Sequence, residues 1–299
     1  MSVLVIPRIH GGLGNQLFLY AAARRIALVN NAELVIDNVS GFRYDKLYNR
    51  HYQLDHFSIP CRTATPSERL EPFSRIRRNL IRRWNRRIPF EQRRYLVQGR
   101  HEFDSRLLDL HPKKGLYMEG LWQSERYFKD VEPQIRQDLQ IRSPTDAANL
   151  ACANHIRQCP AVAVHVRYFD DPVSVSSAKG NNIPSDYYLR AVNVIESKVS
   201  GAHYFLFSDR PEVARNQIPI TNDRITLVHH NKGDENAYAD FWLMSQCQHF
   251  IIANSTFSWW AAWLAGYQDK IVIAPSLEER AGAIPWEFDG SIPDQWIKL

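Results

Sequence analysis

Five short apolar runs in the second half of the chain constrain its fold most: "AVAVHV" from Ala161, "HYFLFSD" from His203, "RITLVHH" from Arg224, "HFIIANS" from His249 and "KIVIAP" from Lys270. Stretches with apolar residues at helical spacing separate most of them. These are "PSDYYLRAVNVIESKVS" from Pro184, with Ser185 as its capping residue, "ENAYADFWLMSQC" from Glu235, and "TFSWWAAWLAG" from Thr256, closed by Gly266. Strands that alternate with helices need crossover connections, which predicts a parallel, doubly wound sheet. The first half repeats the order with interruptions. It has a strand from Val3 to Ile6, a helix from about Gln16 to Val29, "ELVID" ending at Asp37, and later the strand-like "LYMEG" and a helix from about Glu125 onward. At 299 residues the chain is long enough for two domains. The Pro and Ser in "RSPTD", Arg142 to Asp146, suggest a boundary there, giving expected domains 1–145 and 146–299.

Hydrophobic residues at 44% and charged residues at 23% are those of a soluble globular protein, and no apolar run approaches the roughly 18 residues of a membrane span. "MSVLVIPRIHGG" enters a strand without a basic leader or signal region, so a cytoplasmic location is expected. Cys61, Cys152, Cys159 and Cys247 match no zinc or redox spacing and are expected to stay reduced. The net charge of +5 is concentrated in "SRIRRNLIRRWNRRIPFEQRR", which carries nine arginines from Arg75 to Arg94. Ile76, Leu80, Trp84 and Ile88 recur every fourth residue there, predicting a basic helix with one apolar stripe. The favoured expectation is a surface helix docking that stripe on its own domain; peripheral contact with an anionic membrane comes second. Nucleic acid is not an expected partner, because the chain has no aromatic-interleaved binding motif.

In an open parallel sheet, ligands bind beyond the carboxyl ends of the strands. The apolar runs lead there into "HVRYFDD", with His165, Arg167, Asp170 and Asp171; into "FSDRPE", with Ser208 and Asp209; and into "ANSTFSWW", with Asn254, Ser255, Thr256 and Ser258. Ser255 and Thr256 begin a helix, whose N–H groups and dipole suit a phosphate. Arg167 supplies a forked cation. The Asp209 carboxylate matches the paired N1–H and 2-amino donors of guanine. Each has a plainer reading: Ser255 as a helix cap, Asp209 as a turn residue before Pro211, His165 as a satisfied core histidine. Together, at one sheet edge, they favour a nucleoside diphosphate site.

"HGGLGNQLFLYAAARRIA", "GLWQSERYF", "HVRYFDD", "FLFSD" and "LMSQCQHFIIANSTFSWWAAWLAG" resemble, in order, the motifs of the bacterial α-1,2-fucosyltransferases. The resemblance runs from Met1 to about Pro275. It implies an α/β fold of the GT-B type, two Rossmann-like domains facing across a cleft, with GDP-fucose in the C-terminal half and a galactose-terminated glycan as acceptor. It implies that His165 and Asp209 contact guanine, Arg167 the β-phosphate, and Ser255 and Thr256 the diphosphate. Asn254 and Phe257, in the same motif, join the donor-binding set. The family commonly reads His-x-Arg-Arg-Gly-Asp, whereas Tyr168 and Phe169 stand here in place of the second arginine and the glycine.

"GGLGNQ" meets only part of a dinucleotide fingerprint, since Leu17 occupies the third glycine position, although Asp37 imitates the ribose-binding acid. An NAD(P)-dependent oxidoreductase is therefore the alternative enzyme class, and a non-catalytic glycan-binding module the alternative outside catalysis. By the resemblance this loop belongs to the acceptor domain, with Asn15 near the reacting centre. The expected reaction is inverting transfer of fucose to a 2-hydroxyl, with Arg167, Asn15 and Asp170 as catalytic residues and neither metal nor cofactor required. Glu125 is a second candidate for the base.

Overall fold

The structure, a computed structural model, describes residues 3–43, 45–46, 49–85, 87–99, 102–168, 183–276 and 291–299. The chain divides between Gln140 and Ile141 into two compact units, each built on its own parallel sheet.

In the first unit the elements run β1 (Leu4–Pro7), α1 (Leu13–Val29), β2 (Glu33–Ile36), β3 (Arg62–Thr63), α2 (Ser74–Asn85), β4 (Tyr95–Val97), β5 (Leu116–Glu119) and α3 (Glu132–Asp138). The strands pair in the order β3-β2-β1-β5-β4, all parallel. α1 is buried along most of its length, with Leu17, Tyr20, Ala21, Ala22, Ala23 and Ile26 fully covered. Its polar outer edge is tied down by Asp138 of α3, which accepts from Tyr20 Oη and Arg24 Nε, both at 2.7 Å.

The second unit runs α4 (Ala147–Arg157), β6 (Ala161–Val166), α5 (Ser185–Lys198), β7 (His203–Ser208), α6 (Pro211–Arg215), β8 (Ile225–Val228), α7 (Ala237–Ser245), β9 (His249–Ile251), α8 (Thr256–Leu264), β10 (Val272–Ala274) and β11 (Ile297–Lys298). Its strand order is β11-β10-β9-β6-β7-β8, again parallel throughout. β6 is buried at every position, as a central strand covered on both faces must be, which is why "AVAVHV" shows no useful polar alternation. α5 contributes Tyr187, Tyr188, Ala191, Val192 and Ile195 to a core with Val162, Val164 and Leu206. α8 buries Trp259, Trp260 and Trp263, and Trp296 packs on Trp259 with ring centroids 5.5 Å apart. Lys270 Nζ donates to the carbonyls of Ala262, Trp263 and Ala265, neutralising the negative end of α8.

Several local expectations are corrected. The helix expected from Glu125 begins as two 3-10 turns, Glu125–Tyr127 and Lys129–Val131, and becomes α-helical only at Glu132, where Pro133 sits in the first turn. Pro184, not Ser185, holds the N-cap position of α5, and no side chain caps it. The arginine-rich helix ends at Asn85 rather than near Arg94, because Pro89 disfavours helical backbone before it and Asn85 Nδ2 donates instead to the Tyr95 carbonyl at 2.7 Å. Its apolar stripe does not dock on its own domain. Ile76, Leu80 and Trp84 are exposed, while Arg78 and Asn85 are buried. All four cysteines are free thiols. No described helix is long and apolar enough to cross a membrane.

Candidate active site

In the second sheet the chain leaves β6 toward β7 and β8, then returns to place β9, β10 and β11 on the opposite side. The carboxyl ends of β6 and β9 therefore flank the topological switch point, where loops diverge and leave space for a ligand. The sequence-predicted residues lie at this edge: His165 in β6, Arg167 just after it, Asp209 just after β7, and Asn254, Ser255 and Thr256 between β9 and α8.

Register brings two of them together. Val166 pairs with Ser208, so the next residues leave their strands side by side. Arg167 Nη1 meets Asp209 Oδ2 at 3.0 Å, with the two side chains 31% and 29% exposed. Asp209 Oδ1 also accepts from the Tyr168 backbone N–H at 3.2 Å. The resemblance assigned these two residues to different parts of the nucleotide; in the structure they are partners. Oδ1 accepts in addition from Ser208 Oγ at 3.4 Å, so the pairing leaves a second lone pair on Oδ2, and a guanidinium has five donors.

His165 is covered, and Nδ1 lies 2.9 Å from Ser258 Oγ. Ser258 Oγ also lies within hydrogen-bond distance of the Ser255 carbonyl, at 3.2 Å, so it ties the ring to the first turn of α8. Burial, reinforced by the Arg167 charge, pushes the His165 pKa down to about 3, so the ring is neutral at physiological pH. Phe257, at the start of α8, sits 5.8 Å from the His165 ring and edge-on to Phe241. Tyr188 Oη donates to the His165 carbonyl at 3.2 Å, fixing the strand end from the α5 side.

Ser255 occupies the N-cap position of α8 in extended backbone, φ −137° and ψ 125°, but its side chain makes no capping hydrogen bond. The plainer reading of Ser255 as a cap thus holds for its backbone only. α8 has no acidic residue in its first turn, so its positive end keeps its sign. Asn254 is nearly covered beside it. Tyr187 Oη bridges the carbonyls of Ile252 and Ile273 at 2.7 and 2.9 Å and braces the exits of β9 and β10 beneath this segment.

Tyr168 turns into the core instead of presenting the charge the family carries there; Gln217 Nε2 donates to its hydroxyl at 2.7 Å. The Arg210 guanidinium lies 5.7 Å from the centre of its ring. Asp170 and Asp171 lie outside the described residues.

In the first unit "GGLGNQ" spans the end of the turn out of β1 and the first four residues of α1, with Gly12 at the N-cap. Gly11 has φ +75°, a left-handed conformation that glycine adopts without strain. Gln16, wholly buried, donates to the Gly11 carbonyl at 2.9 Å and the His51 carbonyl at 2.8 Å, and accepts from Gln53 N–H at 3.0 Å, so it locks the loop. Asn15 Oδ1 accepts from Gln123 Nε2 at 2.9 Å, which links the loop to the "GLWQSERYF" motif. Asp37 is fully buried and engaged by Ser40 N–H at 2.9 Å, by Ser40 Oγ and by Tyr117 Oη. It cannot serve as a ribose-binding acid, and with it goes the local pattern that suggested an oxidoreductase. Glu125 pairs with Lys129 at 3.2 Å.

Sequence reasoning named Ser258 among the polar residues of this edge but gave it no partner, and it left Gln123, Gln16 and Tyr188 without roles. These three act through tertiary contacts that no spacing announces.

A model of the family described as "Glycosyl transferase family 11" matches residues 3–282. The chain belongs to this family. An alpha-1,2-colitosyltransferase of Escherichia coli is 29% identical over 99% of both chains. The O-antigen biosynthesis glycosyltransferase WbnK of Escherichia coli is 30% identical, covering 89% of this chain and 91% of its own. Among solved structures, the α-1,6-fucosyltransferase NodZ soaked with GDP-fucose shares the fold with a TM-score of 0.53 at 18% identity, over 89% of this chain and 93% of that one. The family 11 enzyme is thus a glycosyltransferase whose two parallel-sheet α/β units are of the GT-B type.

Proposed function

We propose that this family 11 glycosyltransferase binds GDP-fucose at the carboxyl edge of its second sheet and transfers fucose, with inversion, to the 2-hydroxyl of a galactose-terminated glycan. The observation that carries the reading is the convergence of Arg167, Asp209 and the amino end of α8 at the switch point of that sheet. The Asp209 carboxylate is an acceptor, and the Watson–Crick edge of guanine offers the N1–H and 2-amino donors, with His165 at the neighbouring strand end. Arg167, Ser255 and Thr256 supply positive charge and hydrogen-bond donors for the diphosphate.

In the reaction, the acceptor hydroxyl forms a bond to C1 of the β-linked fucose while the C1–O bond to the β-phosphate breaks and its electron pair leaves with GDP. The proton passes to a base, for which Asp170 is the motif carboxylate. Inversion at C1 gives the α-1,2 linkage. Charge builds on the leaving diphosphate, so donors fixed there before reaction lower the barrier most, and this arrangement requires no metal. A colitosyl donor is the second reading, favoured by the end-to-end similarity to the colitosyltransferase.

Turnover of GDP-fucose, the corresponding GDP-linked colitose, UDP-sugars and NAD(P)H, with and without lactose, tests the proposal. Product and free GDP from GDP-fucose only in the presence of acceptor are expected. Turnover of the colitosyl donor alone would transfer the assignment to that sugar; binding of glycan without turnover of any donor would leave a glycan-binding module.

Asn15 gives a separate test. Its Oδ1 is held by Gln123 in the first unit, whereas the nucleotide groups lie on the second. Asn15→Ala is expected to lower turnover at least about tenfold, the scale of one lost transition-state hydrogen bond, and to leave GDP affinity within about twofold. Calorimetric GDP affinity falling in step with activity would make the loop a phosphate cradle.

A further inference from the structure

The four most exposed large apolar side chains among the described residues are Phe73, Trp84, Leu80 and Ile76, at 71%, 68%, 62% and 60%. All four belong to α2 or precede it by one residue, which makes them one patch rather than scattered surface. The helix is held by its opposite face. Arg78 and Asn85 are buried there, Ile81 packs against the cluster of Ile6, Val35, Tyr95 and Tyr117, and Arg82 binds Glu119 while its guanidinium lies 5.4 Å from the centre of the Tyr95 ring. Polar anchoring inward and apolar residues outward reverse the usual amphipathic order, so core burial does not account for the stripe.

At 100° per residue, Ile76 and Trp84 fall within about 40° of Leu80, and Arg77 and Arg83 lie about 60° from it on either side. Arg75, Arg77, Arg83 and Arg87 are exposed. A strip of Phe, Ile, Leu and Trp edged by arginines has the chemistry of a helix lying in a bilayer interface: the rings and alkyl groups enter the boundary of the acyl region while the guanidinium groups meet lipid phosphates. Trp suits this depth because its apolar body carries a polar N–H. A duplex nucleic acid offers no apolar layer for such a stripe, and a neutral protein groove would leave the flanking arginines without anions.

We infer that the outward face of α2 docks the enzyme on an anionic lipid bilayer. The inference is independent of the donor and acceptor assigned above, because it is read by binding without turnover. Co-sedimentation of the full chain with vesicles of phosphatidylcholine alone, and of phosphatidylcholine mixed with phosphatidylglycerol, measures it. Binding to the anionic vesicles is expected, with weak binding to the neutral ones and loss at high salt.

Replacement of Ile76, Leu80 and Trp84 together by Ser is expected to weaken anionic-vesicle binding at least about tenfold. Replacement of Arg75, Arg77 and Arg83 by Gln is expected to do the same and to remove the preference for phosphatidylglycerol. These exposed positions should leave thermal stability and GDP binding unchanged, and both are measured on each variant. Vesicle binding that survives the Ser variant, or none by the unaltered protein, overturns the inference. So does a reversible dimer, seen by sedimentation velocity, that the Ser variant abolishes while vesicles do not bind; the face would then join two copies of the chain.

Discussion

Arg167→Ala is expected to lower kcat by about 10²–10³, the effect of removing one preorganised donor from a developing charge, with a much smaller effect on stability. The stability side follows from the structure. The Arg167–Asp209 pair is about a third exposed on both sides, and such pairs contribute at most about 1 kcal/mol, a few degrees in Tm for a chain of this size. If Arg167 served only to pair with Asp209, its loss would therefore shift Tm slightly and leave turnover nearly intact. Arg167→Lys should restore only part of the rate, because an ammonium keeps the charge and loses the fork. Activity should survive excess EDTA if the guanidinium neutralises the leaving diphosphate. Abolition by EDTA with recovery in Mg²⁺ or Mn²⁺ would overturn that role whatever the arginine variants do. Single-turnover rates and melting curves on the same preparations decide the matter.

The second large effect concerns the base. Asp209→Ala is expected to weaken GDP binding by about 1.5–3 kcal/mol, roughly ten- to a hundredfold, the scale of hydrogen bonds to a charged acceptor. UDP binding, which gains nothing from a carboxylate facing guanine donors, should change far less. The contrast matters because Asp209 also holds Arg167. A residue that merely oriented the arginine would, when removed, weaken GDP and UDP alike through the phosphate. Calorimetry with both nucleotides separates the two cases, and equal affinity of the unaltered protein for GDP and UDP would end the guanine assignment.

Arg210 connects these results to the departure in the His-x-Arg-Arg-Gly-Asp motif. Tyr168 gains packing in the core, and the cation over its ring comes from the neighbouring strand end.

The sequence by itself determined the alternation of strands and helices, the parallel class of the second sheet and the edge at which chemistry-bearing residues gather. Those features follow from periodicity and from the rule that loops after parallel strands open at one edge, so "AVAVHV", "HFIIANS" and the amino end of α8 were legible without coordinates. Tertiary structure alone decided what each polar group does. It paired Arg167 with Asp209 through strand register, seated the His165 ring against Ser258, and saturated Asp37 so that a dinucleotide-like acid became a buried anchor. It also turned the stripe of α2 outward. The physical reason is that hydrophobic periodicity records which residues share a helix face, whereas the direction of that face is set by competing contacts. Here a buried arginine, an asparagine bonded to the next strand and an arginine–glutamate pair hold the polar side inward.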